Sequence, residues 1–520
     1  MTWLRAVLGA ALLVWLAGPM PARAQDITLR SPDGAVEISG TLLGYDGEFY
    51  RVDTQFGELT VDGSGVACDG PGCPNLLEFV AEVVFSGASS MTEVLMPALV
   101  EGFARRQQLT ARRVELDEGR FAYELLRDGA ARPAARFEFR VTTTDEGFAD
   151  LLANEADIVL ASREIRAEER QRAAEAGMGD LTDGTRSRVL ALDAMVPVVA
   201  QTNPVRDIST AELARAFAGE ITNWAELGGP DAPVVLHLPD AGSGLSQSAE
   251  DRLVAPIGGT LPEDVTRHDR SAQVAEAVAR DPFGIGLASF AETAPARALA
   301  LTGSCGFSLS ATRRTVKTED YPLTSPLFLY LPARRLPKMA RDFLAFTRSA
   351  PAQIVIRRSG FVDQSPEDIA INDQGDRFAN ALLAAGPEIG LDALKAMTET
   401  LKPLSRLTTS FRFEAGSARL DAQSRSNVAQ LAGAIETGFY DARRLLFVGF
   451  SDGMGPASNN QQIAMARARA VQAAVIAAVE TGGSDRIDMG VAAFGEALPM
   501  ACDDTEWGRS VNRRVEVWIR

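Results

Sequence analysis

Short alternating runs of apolar and polar residues open the readable part of the chain. Ile27-Thr28-Leu29, Val36-Glu37-Ile38, Gly40-Thr41-Leu42-Leu43, Phe49-Tyr50-Arg51-Val52 and Glu58-Leu59-Thr60-Val61 are separated by Asp33-Gly34, Asp46-Gly47 and Phe56-Gly57. Strands of this length joined by glycine turns predict a small barrel or meander, with packing or docking as its expected role. Farther on, Phe85-Ser86-Gly87-Ala88-Ser89-Ser90-Met91 sits between a strand-like run and a helical one that ends near Phe103. Residues 378–401 carry apolar residues at helical spacing, interrupted by Gly386-Pro387. Leu445-Leu446-Phe447-Val448-Gly449 reads as a strand ending in a turn, and residues 461–480 as a long alanine-rich helix.

The remaining bounds come from composition. A chain of 520 residues is too long for one core and predicts three or four domains. Residues 1–24 combine Arg5, an apolar stretch from Ala6 to Ala17 and the small-residue site Ala22-Arg23-Ala24, which predicts a cleaved secretory signal. That apolar stretch is shorter than the roughly 20 residues a spanning helix needs, so no transmembrane segment is expected in the mature chain. The net charge of -17 falls to -19 without Arg5 and Arg23. Such an acidic surface excludes nucleic acid and anionic lipid as natural partners. Four cysteines in an exported chain permit disulfides. Cys68 and Cys73 enclose the turn-forming Asp-Gly-Pro-Gly and are expected to bridge locally, while Cys305 and Cys502 either pair or stay free. The two histidines, His237 and His268, lie far from the cysteines; no metal site, phosphate-cradling lysine motif or Gly-x-Ser-x-Gly is present, and neither enzyme activity nor a cofactor is expected.

Near the C-terminus come Ser451-Asp452-Gly453-Met454-Gly455, Asn460, Ala466-Arg467-Ala468 and Asn512-Arg513-Arg514-Val515-Glu516-Val517. This order resembles the OmpA-like domain, which holds peptidoglycan by its diaminopimelate residue. A ligand with an ammonium and a carboxylate on one carbon calls for a carboxylate and a guanidinium a few ångströms apart. The resemblance assigns those parts to Asp452, at a strand end, and Arg467, early in a helix, with Ser451 and Asn460 beside them. Ser451 stands where the family has threonine, and Ile463-Ala464 where it has Leu-Ser.

The middle of the chain contains Ala156-Asp157-Ile158-Val159-Leu160-Ala161-Ser162-Arg163, then Ile221-Thr222-Asn223-Trp224, Gly228-Gly229-Pro230 and Asp240-Ala241-Gly242-Ser243-Gly244. With the Ser89-Ser90 loop these resemble the phosphate-binding receptors of ABC transporters, the PstS-like proteins. The resemblance implies a two-lobed fold with a ligand cleft. One lobe is expected at residues 79–191 and 288–362, the other at 192–287. It also implies an anion site of Ser89, Ser90, Ser162, Arg163, Ser243 and Gly244. Hydroxyls and backbone amides donate to a tetrahedral oxyanion, and Arg163 supplies the one full positive charge. The arginine that commonly precedes the third loop is replaced by Leu238-Pro239. The loop usually rich in glycine and serine reads Thr142-Thr143-Thr144-Asp145-Glu146, whose carboxylates are expected to repel a dianion by roughly 1–4 kcal/mol each.

The expected fold is multidomain α/β. After the signal come a small all-β domain at 25–75 and a two-lobed periplasmic binding protein fold of type II at 79–362. A helical connector at 363–407 and an OmpA-like α+β domain at 408–520 follow. The function expected is that of a periplasmic receptor for phosphate or another small oxyanion, anchored on peptidoglycan in a Gram-negative envelope, with an ABC permease as possible partner. The alternative is an envelope structural or adhesion protein whose receptor fold no longer binds phosphate.

Overall fold

The computed structural model describes residues 26–520 except 77, 387, 415, 416 and 481. The signal expected at 1–24 lies outside the described residues. The first sheet has five antiparallel strands in the spatial order Gly57–Asp62, Phe49–Thr54, Glu37–Tyr45, Ile27–Arg30, Ala67–Asp69. Two of the runs read separately, around 36–38 and 40–43, are one strand: Gly40 presses on the backbone of Asp53, where a side chain has no room. The fifth strand carries too few apolar residues to be legible. It is tied to the following turn by the Cys68–Cys73 disulfide, as the spacing predicts. Ile27, Leu29, Tyr50 and Val52 form its core, and Asp46 and Glu48 dock it onto Arg335 and Arg341 of the next unit.

An eleven-stranded sheet runs through the middle of the chain. Its axis is the thirteen-residue strand Ser187–Val199, whose last ten residues are all buried. The first part of that strand pairs with Thr324–Tyr330, and the second part with Gly284–Ser289. Two separate cores flank this axis. One gathers Phe85, Phe103, Phe137, Phe139 and Phe343; the other gathers Val196, Val198, Trp224, Leu238 and Leu287. Leu299, Leu301, Val316, Tyr321 and Leu323 also belong to the second core. The return to the first lobe therefore comes at the strand Thr324–Tyr330 and not near residue 288. The short strands at Ala300–Thr302 and Ser308–Leu309 form a small side sheet with Asp207–Ser209, which keeps the chain in the second lobe longer than motif order suggests.

The last sheet has the order Asp368–Ile369, Ser405–Phe411, Val515–Ile519, Arg444–Gly449, Asp488–Ala493. One face is covered by the helices Ala422–Glu436 and Ala457–Ala478. The other is covered by the connector helices Gly375–Ala384 and Leu391–Leu401, which bury Leu394, Met397 and Leu401 against Leu446, Val448 and Trp518. The connector is thus an integral layer of the C-terminal unit.

Three devices fix that unit to the receptor-like body. Cys305 and Cys502 pair across the junction, closing the alternative left open by the sequence. Arg406 forks onto Asp320 at 2.7 and 3.0 Å and lies 3.4 Å from Glu516, which also accepts from Arg377 at 2.5 Å and Arg514 at 2.7 Å. Burial alone would push the Glu516 carboxyl up, but the three arginines hold it well below the ordinary range. Lys317, fully enclosed, donates to Asp363 at 2.8 Å and Glu367 at 2.7 Å. Removing one partner from such a buried network costs about 3–5 kcal/mol, because the remaining charge is left without compensation.

Candidate functional sites

The cleft site is built where strands end. Ala81–Ala88 and Ile158–Ala161 run parallel with Leu160 opposite Gly87, so Ser89 and Ser162 emerge at the same edge of the sheet. Gly87 has φ +144° and faces the carbonyl of Leu160, a position a Cβ would block. Only glycine permits the two loops to start this close together. Ser89 precedes the helical segment Ser90–Leu95, and Ser90 is buried. Thr143 caps the helix Thr144–Leu152 in a reciprocal box with Glu146, at 3.2 and 2.9 Å. Ser243 caps the helix Gly244–Ala249 by accepting from the Ser246 amide.

These loops meet across the lobes. A Cβ on Gly244 would lie 2.5 Å from Ser162 Oγ and 2.7 Å from Thr144 Oγ1, and the Ser162 amide donates to Thr144 Oγ1 at 3.3 Å. Ser162, Thr144 and Gly244 are therefore in contact, and a ligand reaches the space between them only when the lobes part. The starts of the helices Thr144–Leu152 and Gly244–Ala249 thus meet at the Ser162 loop.

Arg163 has a different position from the one its motif suggests. Its side chain is 4% exposed and donates to Asp145 at 2.6 Å and to Glu169 at 2.7 and 2.8 Å. It also donates to Gln247 Oε1, while Gln247 Nε2 donates to Asp145 at 2.6 Å. Burial would lower the basicity of Arg163, but Glu169 and Asp145 together raise it. Two carboxylates thus compensate one guanidinium, which leaves no surplus positive charge for an anion. Asp145, expected to repel a ligand, is turned onto Arg163, and Glu146 is turned onto the Thr143 amide. Glu169, Gln247 and Thr144 were missed by sequence reading. For Glu169 a signal existed: it stands at the third position of the helix Ala167–Glu175 and accepts from the Arg166 amide, as a capping residue does.

Further ties cross between the lobes. Arg166 forks onto Asp251 at 2.9 and 3.0 Å, and Arg270 reaches Glu93 at 3.2 Å. At the hinge the buried Asp193 accepts from Ser289 at 2.5 Å and from the Ala194 amide. Burial pushes Asp193 up to about 6, and burial together with Asp193 pushes the neighbouring Glu292 up to about 7. The two histidines, distant in sequence, meet at 3.0 Å, with Asp281 3.1 Å from His237. No cluster suited to a metal ion occurs among the described residues.

The C-terminal site is arranged otherwise. Asp452 follows the strand Arg444–Gly449, is largely buried, and accepts from Arg513 at 2.9 Å. Arg467 stands on the helix Ala457–Ala478 with its guanidinium 5.2 Å from the Phe413 ring and makes no ion pair among the described residues. Burial lowers its pKa, helped by the like charge of Arg513 and opposed by Asp452, which places all three within electrostatic reach of one another. Asn460 is buried and donates to Glu496 at 2.6 Å, and Ser451 is buried with an unpaired hydroxyl. A carboxylate paired with Arg513 and a guanidinium without an ion pair among the described residues thus lie within electrostatic reach of each other.

The geometry defines a two-lobed α/β body joined to a compact α+β unit. Residues 123–351 match the PBP superfamily domain, and residues 412–513 match the OmpA family. The middle of the chain is therefore similar to the PBP superfamily domain and its C-terminal part to the OmpA family. It is 29% identical over 265 residues to Protein SphX of Synechococcus elongatus, covering 47% of this chain and 76% of that one. It is 25% identical over 210 residues to the phosphate-binding protein PstS of Borreliella burgdorferi, covering 39% and 71%. A solved structure of a putative phosphate ABC transporter substrate-binding protein with bound phosphate from Clostridium perfringens aligns with TM-score 0.43 and 22% identity, over 54% of this chain and 99% of that one. No described helix is long and apolar enough to cross a membrane.

Proposed function

We propose that the chain is a periplasmic receptor for a small oxyanion, phosphate foremost, held non-covalently on peptidoglycan through diaminopimelate. The observation that carries the receptor half is the convergence of Ser162, Thr144 and Gly244, where two helix starts meet a third loop. The names of the relatives support phosphate as the ligand. Because Arg163 is compensated, recognition rests on neutral hydroxyl and amide donors, which is compatible with a dianion provided the lobes enclose it away from water. Asp452 and Arg467 supply the carboxylate and guanidinium of the anchoring half. The test is calorimetric titration of the full chain, stripped of co-purified ligand, with phosphate at neutral pH. Saturable binding near 1 μM, about -8 kcal/mol, weakened at least tenfold by Ser162→Ala, is the expected result; no heat and no thermal stabilisation overturn it.

A second reading is an envelope scaffold in which the receptor fold presents a surface and binds no anion. The full neutralisation of Arg163 and the direct contact of the cleft loops favour it. The same titration decides, since a scaffold gives no saturable signal.

A further inference from the structure

Beyond the two sites lies a cavity of 560 Å³ at the junction of both lobes with the C-terminal unit. Its size falls within the range of small-ligand pockets. The receptor contributes the lobe-bridging pair Arg166 and Asp251, together with Arg252 and Glu319. The C-terminal unit contributes Arg412, Phe413, Asp421, Trp507 and Arg513. Phe413 and Arg513 are also the residues that contact Arg467 and Asp452, so the cavity continues the diaminopimelate site inward to the receptor.

The lining is built and not incidental. Glu319 is 8% exposed and its Oε1 has no hydrogen-bond partner. Burial, then the charge of Asp421, pushes its carboxyl up to about 8. Arg412 is 7% exposed with its Nε unpartnered, and its other nitrogens donate to the carbonyls of Val511 at 2.5 Å and Glu319 at 2.6 Å. Arg252 likewise donates to the carbonyls of Thr324 at 2.8 Å and Pro322 at 3.1 Å. Buried acceptors without donors, and guanidinium groups paired mainly with neutral carbonyls, cost free energy until a partner arrives. Acceptors and arginines side by side against two aromatic walls suit a peptide, which offers both amide donors and carboxylates, better than a phosphate or a hydrocarbon.

We propose that this junction cavity receives the rest of the peptide stem of peptidoglycan, beyond the diaminopimelate ammonium and carboxylate held by Asp452 and Arg467, its amide N–H groups toward Glu319 and Asp421 and its remaining carboxylates toward the arginines, so that both receptor lobes form part of the wall-binding site. The proposal rests on the diaminopimelate reading of Asp452 and Arg467. It extends that reading by making the bound peptide touch Arg166 and Asp251, the pair that holds the lobes together.

The test is calorimetry on the full chain with two probes, free meso-diaminopimelate and the stem tetrapeptide L-alanyl-γ-D-glutamyl-meso-diaminopimelyl-D-alanine. The tetrapeptide is expected to bind about tenfold tighter than the free amino acid. Glu319→Ala is expected to remove that increment while leaving meso-diaminopimelate binding unchanged, and Arg166→Ala is expected to weaken the tetrapeptide selectively, with the melting temperature recorded alongside because the Arg166–Asp251 pair also ties the lobes. Equal affinity for the two probes, untouched by either substitution, overturns the cavity proposal alone. Absence of binding of either probe to the wild-type chain overturns the diaminopimelate reading beneath it.

Discussion

Arg163 and Arg467 are the two arginines that motif order singles out, and the molecule treats them oppositely. Arg163 is clamped by Asp145, Glu169 and Gln247 and is spent on holding loops and lobes together. Arg467 rests over Phe413 without a counter-ion, beside a carboxylate already oriented by Arg513. An arginine in a ligand motif is thus a ligand group only when its own neighbours leave its charge unspent. One cluster is organised as a lock and the other leaves a guanidinium without an ion pair among the described residues, although both carry a serine next to a charged residue at a strand end.

The largest effect that would sharpen this contrast is expected from Asp452→Ala, which should weaken sedimentation with purified peptidoglycan by about 2–5 kcal/mol, the range for truncating one member of a desolvated charge pair. Arg467→Ala should weaken it comparably while shifting thermal stability by no more than about 0.5 kcal/mol. For Arg163→Ala the balance reverses. Stability should drop by about 2–4 kcal/mol in urea unfolding, somewhat under the fully buried range because Asp145 is 47% exposed, with no loss of wall binding. Asp145→Asn releases part of the Arg163 charge, and phosphate affinity should rise by about tenfold if the cleft is an oxyanion site; unchanged affinity would favour the scaffold.

The smallest effect is a change of slope with pH. Glu367 is held at about 2, below its ordinary 4.5, by Arg313 and Lys317, and Asp320 and Glu516 are lowered too. Groups with depressed folded pKa give stability above about pH 4.5 that is lost as pH falls toward 2. Glu319, at about 8, has the opposite sign: its contribution is complete below about 4.5 and is lost as pH rises through 8. Melting temperature should fall on both sides of a maximum near pH 5, and Glu319→Gln should flatten the alkaline side only.

How much of this was legible depended on the distance over which each arrangement is assembled. Asp452 and Arg467 lie within one short unit, at a strand end and on the next helix, so their places in the fold were legible from the motif order. The cleft loops were also found, since turn and cap residues mark themselves locally. The lock was not, because Asp145, Arg163 and Glu169 of the first lobe meet one another and Gln247 of the second only through tertiary packing, and the sequence alone does not say which charges cancel. The late lobe boundary escaped for the same reason: Val316, Tyr321 and Leu323 join the second core only through tertiary packing. The junction cavity has no sequence signature at all, being formed by surfaces from three parts of the chain.

The Cys305–Cys502 bridge has a mechanical meaning as well. Tension applied between the chain's two ends, as in a pulling experiment, passes directly from residue 305 to residue 502, so the 196 residues between them carry none of it. The last helices of the first lobe and the whole connector sit inside that shielded loop. Reduction would lengthen the extensible chain by roughly 690 Å at full stretch, and a force-extension trace would record the difference between a short tether and a long one.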